Sequence, residues 1–150
     1  MANNPSNSID SVTSEGIKYR EDKELPEEQV VALYQALGWS SAEKPEQLMA
    51  GLRGSHRVIS AWHGDRLVGI GSAISDGALV VYYPHLCVHP DYQRLGVGRQ
   101  IMRRMTEHYA GFHQQQVVAD SRAIGFYEKC GFEIAGSCQP LWIYGGHDHD

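Results

Sequence analysis

The sequence predicts a mixed α/β fold in one domain, with the element order βααβββαβαββ. Three observations carry this expectation. Apolar residues first recur at helical spacing, at Val30, Leu33, Tyr34 and Leu37. From residue 56 they change to strand-like runs broken by Gly64-Asp65. Helix starts and strand-like runs then alternate to the end. The size agrees, because a chain of 150 residues suits one domain and buries roughly 68–70% of its unfolded surface.

Residues 1–15 are Asn/Ser-rich and carry no apolar period, so they read as a disordered tail before a single domain over residues 16–145. Ile17 to Arg20 form a first short strand. Leu25-Pro26-Glu27-Glu28 opens a helix, since proline tolerates the donor-free first turn and acids suit the positive end of the dipole; Gly38 closes it. Pro45-Glu46 opens a second helix through Leu48, Met49 and Leu52, ending near Gly54. His56 to His63 and Arg66 to Ser75 read as a hairpin. After the Asp76-Gly77 turn, Ala78 to Val88 is a long strand interrupted by Pro84, where a missing donor predicts a bulge or a splay. A helix follows from Gly96 to Tyr109, a short buried-type strand from Gln116 to Ala119, and a helix from Ser121 to Cys130 stopped by Gly131. Phe132–Ser137 and Pro140–Tyr144 are expected as closing strands, and residues 146–150 as a frayed end.

Composition narrows the function. The chain is 42% hydrophobic and 21% charged with a net charge of -5, the profile of a soluble globular domain. No apolar run approaches the roughly 18–20 residues a membrane span needs, and the N-terminal residues lack the pattern of a secretory signal. An acidic balance disfavours general nucleic-acid binding, which rests on phosphate neutralisation by Lys and Arg. Cys87, Cys130 and Cys138 are odd in number and form no CxxC pair, which predicts reduced thiols in a cytoplasmic protein. His147-Asp148-His149-Asp150 looks like a metal-binding tract, but with no other clustered ligands it reads as a solvated terminus, and no metal is expected.

The most informative run is Leu86 to Arg99. A strand leads to a loop whose glycines, Gly96 and Gly98, open a helix, and free N–H groups at such a start bind phosphate-type anions. Arg94, Arg99, Arg103 and Arg104 fall in a stretch without Asp or Glu. The dinucleotide fingerprint GxGxxG fails because Ile101 stands where the third glycine belongs, and the P-loop pattern fails too.

Gln93-Arg94-Leu95-Gly96-Val97-Gly98 resembles the acyl-CoA pyrophosphate loop, [QR]xxGx[GA], of the GNAT superfamily of N-acetyltransferases. Downstream, Ala119-Asp120, Ala123 and Phe126-Tyr127-Glu128-Lys129-Cys130-Gly131-Phe132 resemble that superfamily's second motif. The resemblance covers residues 58–144. Leu37-Gly38-Trp39 and Ala119-Asp120 with Tyr127 look like a bacterial small-amine branch related to serotonin N-acetyltransferases.

The resemblance implies a GNAT-type fold, a mixed sheet with a splayed strand and flanking helices, and direct acetyl transfer from acetyl-CoA to a primary amine of a small molecule. It implies that Leu86, Cys87 and Val88 present backbone groups to the pantetheine arm. Gln93, Arg94, Leu95, Gly96, Val97, Gly98 and Arg99 would hold the pyrophosphate, with Phe126, Tyr127 and Lys129 completing the coenzyme contacts. Tyr127 is the expected acid at the thioester sulfur, against the plainer reading of an aromatic packed on the sheet. Many relatives carry a carboxylate where this chain has His85, so the base is either His85 or Asp120. Each has a structural alternative: a hydrogen-bonded strand histidine and a helix N-cap. Tyr34, Trp39 and Tyr83 are candidates for an acceptor pocket. A homodimer through the last two strands is implied by the same analogy. Competing functions are a protein lysine or N-terminal acetyltransferase, a non-catalytic acyl-CoA sensor, and a nucleotide-binding α/β module.

Overall fold

A computed structural model describes residues 14–149. The tail expected over residues 1–15 therefore lies outside the described residues as far as residue 13, and Ser14–Gly16 form a 3₁₀ turn. Six strands follow: β1 Ile17–Arg20, β2 Arg57–His63, β3 Arg66–Ser75, β4 Val80–Tyr83, β5 Leu86–Val88 and β6 Gln114–Val117. The helices are α1 Glu27–Ala36, α2 Pro45–Gly54, α3 Val97–His108 and α4 Ile124–Lys129. The sheet runs β1-β2-β3-β4-β6, with β5 paired to β3 off that path. Its pairs are antiparallel except β4 with β6, which is parallel.

Each helix starts where its local chemistry allows. The Pro26 carbonyl accepts from Gln29 and Val30 to open α1, and Gly38 leaves it at φ 71. Pro45 takes the first position of α2, where its missing N–H costs nothing. Strand alternation then divides the core. On one face Val30, Leu33 and Tyr34 of α1 and Leu48, Met49 and Leu52 of α2 pack on Val58, Trp62, Leu67, Ile70 and Cys87. On the other, Val97, Ile101, Met102 and Met105 of α3 cover Ile59, Ala61, Val68, Ala73, Val81 and Tyr83. Each large side chain so buried stabilises the fold by roughly 1.5–3 kcal/mol.

Two glycines set how closely α3 lies on the sheet. A Cβ built at Gly71 would stand 2.4 Å from Ile101 Cγ2, and one at Gly69 3.2 Å from Val97 Cγ1. The helix rests directly on bare backbone. That closeness brings the start of α3 to the edge of β5.

The C-terminal third differs from expectation. β6 sits at Gln114–Val117 rather than 116–119, and it is half-exposed rather than buried, because nothing among the described residues covers its outer edge. The helix expected from Ser121 to Cys130 divides into a 3₁₀ turn, Ser121–Ala123, and the short α4. Neither closing strand forms. Gly136 at φ 60 and the bond from Cys138 N–H to the Ala135 carbonyl turn the chain inside the first, and Pro140 removes a donor at the start of the second. Of the end expected to fray, residue 150 lies outside the described residues, while Tyr144, His147 and Asp148 bond back to the Ser40–Glu43 turn.

Candidate active site

Pro84 breaks the sheet. β4 pairs with β3 at Val81 and Tyr82 and with β6 in parallel from Val80 to Tyr83, where Tyr83 opposes Val117; past Tyr83 both ladders stop, and at Leu86 the chain pairs with β3 again. The His85 carbonyl accepts from Ser72 N–H at 3.0 Å, and His89 N–H donates to the Val68 carbonyl at 2.8 Å. By the alternation of an antiparallel ladder, the polar groups of Leu86 and Val88 therefore point away from β3, into a fork between β5 and β6. The Val88 carbonyl accepts from Gln93 Nε2 at 3.0 Å, which ties the following loop to the fork.

That loop is built to leave donors free. His89 Nδ1 accepts from Asp91 N–H at the turn Pro90–Tyr92, Arg94 adopts φ 68, and Gly96 enters α3 at φ 79. No backbone N–H from residue 94 to 99 donates to another described residue. Those of Val97, Gly98 and Arg99 form the first turn of α3, at the positive end of its dipole, a position that suits a phosphate-type anion. Arg94 and Arg99 are exposed there. Arg103 is instead paired with Glu107 at 3.0 Å, and Arg104 lies over the Tyr19 ring, so the four arginines grouped in sequence divide in space. Phe126 closes the other side. The Cβ position of Gly98 is 3.4 Å from its ring and 3.5 Å from Val88, ordinary contact distances, so α4 and the fork meet over this glycine. Lys129 is exposed on α4.

Tyr127 is half-buried, edge-on to Phe126 and Phe132 at centroid distances of 5.1 and 5.7 Å. Burial, then Cys130 and Tyr82, pushes its phenol up to about 12. Its hydroxyl has no partner among the described residues. The chain leaves α4 through Gly131 at φ 96, and Phe132 N–H returns to the Tyr127 carbonyl, which holds this aromatic pair in place.

On the opposite face of the sheet, Tyr34, Trp39 and His85 meet. Their ring centroids are 5.3–5.6 Å apart. Tyr34 Oη is 2.9 Å from His85 Nδ1, and the Cys87 thiol close to it donates to the Ile70 carbonyl at 3.7 Å. In the tautomer whose Nδ1–H donates to the Tyr34 hydroxyl, His85 Nε2 keeps its lone pair. Burial holds His85 below its ordinary value of 6.5 and raises the Cys87 thiol to about 12, so the imidazole is neutral and the thiol inert.

Two candidates sit elsewhere. Tyr83 points to the α3 face, where its hydroxyl donates to Gln115 Oε1 at 2.6 Å beside Tyr109 and Phe132, so it does not join Tyr34 and Trp39. Asp120 caps the 3₁₀ turn, accepting from Arg122 N–H at 2.9 Å and from its guanidinium at 3.1 Å, and the Arg122 side chain holds its carboxyl below the usual range. Sequence reasoning missed a third set. Asp148 accepts from Ser40 N–H at 3.1 Å, from Ser40 Oγ at 2.5 Å and from Tyr144 Oη at 2.6 Å, directly after Trp39 in the chain. No local signal could have found it, because the partners are 108 residues apart.

A forked sheet with unbonded backbone amides at its mouth is the site that this α/β domain presents. The family model for the acetyltransferase (GNAT) domain matches residues 54–134, more than half of the chain. The solved structure of the GNAT-family acetyltransferase SP0256 from Streptococcus pneumoniae superposes with a TM-score of 0.76 at 31% identity, over 86% of this chain and 98% of that one. The uncharacterized N-acetyltransferase ycf52 of Pyropia yezoensis is 24% identical over 130 residues, 82% of this chain and 74% of that protein. Its namesake in Porphyra purpurea is 33% identical over 69 residues, which span 45% of this chain and only 40% of that protein. The chain belongs to the GNAT acetyltransferase family.

Proposed function

We propose that the protein is an acetyl-CoA-dependent N-acetyltransferase whose acceptor is a primary amine of a small molecule. The observation that carries this reading is His85: a neutral imidazole at the break between β4 and β5, oriented by Tyr34 and faced by Trp39. The free amides of residues 94–99 and the outward polar groups of Leu86 and Val88 suit the diphosphate and amide-bearing arm of acetyl-CoA, which supplies the acetyl group as an activated thioester. His85 Nε2 takes a proton from the acceptor's ammonium, freeing the amine lone pair for attack. Asp120 is the weaker candidate, since its carboxylate is already committed to Arg122.

Tyr127 donates a hydrogen bond to the sulfur as negative charge gathers there. A phenol at about 12 is a weaker acid than a thiol near 8.5, so full proton transfer is uphill by about 4–5 kcal/mol. Its contribution is therefore stabilisation of the departing thiolate rather than complete protonation. The close ring cluster around His85 and the docked segment beyond Ser40 favour a compact acceptor over a peptide.

Thiol release from acetyl-CoA, measured against small amines and lysine peptides, tests the reading. Release with a small amine is expected; release with peptides alone would overturn the acceptor class, and none with any amine would overturn the activity. A second copy is proposed to pair along β6. Its outer edge carries no ladder partner among the described residues, and Leu141 and Ile143, 93% and 105% exposed, lie in an extended stretch without one. Sedimentation of the wild type and of Leu141→Glu reads this directly, and a wild-type monomer would refute it.

A further inference from the structure

We propose that Asp148 is a positioning residue: by holding Tyr144–His149 on the Ser40 turn it fixes Trp39 against His85 and Tyr34, and so sets the affinity for the acceptor amine. This rests on the acetyltransferase reading above. Trp39 is clamped from both sides. Its own N–H donates to the Tyr34 carbonyl at 3.1 Å, and the next residue, Ser40, gives both its N–H and its hydroxyl to the Asp148 carboxylate. Ser40 is buried, and the Asp148 side chain is only 12% exposed, so water competes poorly for these bonds. Two further ties flank the clamp, His147 Nε2 to Glu43 Oε2 at 2.8 Å and Lys44 Nζ to the Gly145 carbonyl at 3.1 Å.

The segment fits this seat closely. A Cβ at Gly146 would fall 2.4 Å from Ser40 Oγ and 2.6 Å from the Tyr144 ring, so only glycine permits the approach. Tyr144 stacks on Trp142 at 4.5 Å, which stiffens the strap that delivers Asp148. Beyond the clamp the Trp39 ring meets the imidazole at 5.6 Å and Tyr34 at 5.5 Å. Releasing the strap frees the backbone at Ser40, and Trp39 with it, on the side where the acceptor approaches His85.

The experiment compares wild type with Asp148→Ala, Asp148→Asn and Ser40→Ala. It measures KM for the best amine, KM for acetyl-CoA, kcat, and the titration of the His85 imidazole by NMR. Asp148→Ala is expected to raise the amine KM about tenfold, the scale of losing hydrogen bonds to a charged group, while kcat and the acetyl-CoA KM stay within about twofold. Asp148→Asn keeps an acceptor for Ser40 N–H and is expected to recover part of the loss. As water reaches the ring in Asp148→Ala, the His85 midpoint is expected to rise toward its ordinary value. An unchanged amine KM with an unchanged His85 titration overturns the proposal, and so does an equal rise in both KM values. If the wild type transfers no acetyl group to any amine, the function reading fails, and the imidazole titration alone decides whether the strap holds Trp39.

Discussion

Gly71→Ala puts the geometry of the anion cradle to a quantitative test. The new Cβ would lie 2.4 Å from Ile101 Cγ2, well inside contact distance, and Ile101 is fully buried. Either the isoleucine leaves its rotamer or α3 lifts from the sheet. Overpacking of this kind costs about 1–3 kcal/mol, and the stiffer unfolded chain returns about 0.4–1 kcal/mol. The net loss of about 1–2 kcal/mol corresponds to a fall in Tm of roughly 2–8 °C for a domain of this size. The start of α3 moves with the helix, so acetyl-CoA affinity is expected to fall with Tm. Ile101→Leu removes the offending branch, and the double variant is expected to recover both properties, a coupling that a thermal melt and an acetyl-CoA titration read together. Full Tm with full affinity in Gly71→Ala would refute the claim that bare backbone seats α3. So would an affinity loss that Ile101→Leu fails to repair.

His85→Gln is expected to lower kcat/KM by about 10²–10⁴, while Asp120→Asn leaves it nearly unchanged; the reverse order would reassign the base. The neutral imidazole is the active form and burial depresses its titration, so the acid limb of kcat/KM against pH is expected below 6.5, rising with pH; the titratable groups facing the ring are the Tyr34 hydroxyl and, through it, the Cys87 thiol. Stability follows the same sign: it is fully present above 6.5 and declines as pH falls below it, where the unfolded chain takes up a proton the folded one resists. Tyr127→Phe is expected to reduce kcat by about 10–10³ with acetyl-CoA binding retained, checked by calorimetry beside the rate assay; a wild-type rate would leave the phenol as packing only. Arg94→Gly relieves a left-handed backbone that costs about 1–2 kcal/mol, so Tm is expected to rise while the acetyl-CoA KM also rises; a fall in Tm would show that φ 68 carries no strain.

Local periodicity made much of this legible. β1 and β3 occur at the bounds their residues suggest, because both are short-range patterns closed by charged or turn residues. The loop after β5 was legible for the same reason: glycine, proline and basic residues in a row describe a backbone with free donors. Three features were not. The sequence groups Tyr83 with Tyr34, but a strand alternates faces, and where Pro84 interrupts the pairing decides which of Tyr82 and Tyr83 turns toward α3. The closing stretches do carry strand-forming residues such as Ile134, Trp142 and Ile143, yet a strand exists only against an edge, and no edge within the described residues receives them. The Ser40–Asp148 clamp depends on a contact no window along the chain contains.

The parallel pair β4–β6 carries a consequence for folding. Tyr83 and Val117 can meet only after the fork, the loop and the whole of α3 have been laid down between them, whereas β2 and β3 close across a turn at Gly64-Asp65. Loop entropy makes the long closure the slower event, so the β2–β3 hairpin is expected to form first while β4 waits with an open side. Once docked, β6 offers a second open side made of Gln114, Gln115 and Gln116, with neither lysine nor proline to discourage a neighbour. Nascent and refolding chains thus meet the same hazard, edge-to-edge capture. That capture is a bimolecular event, so diluting the chains is expected to reduce it.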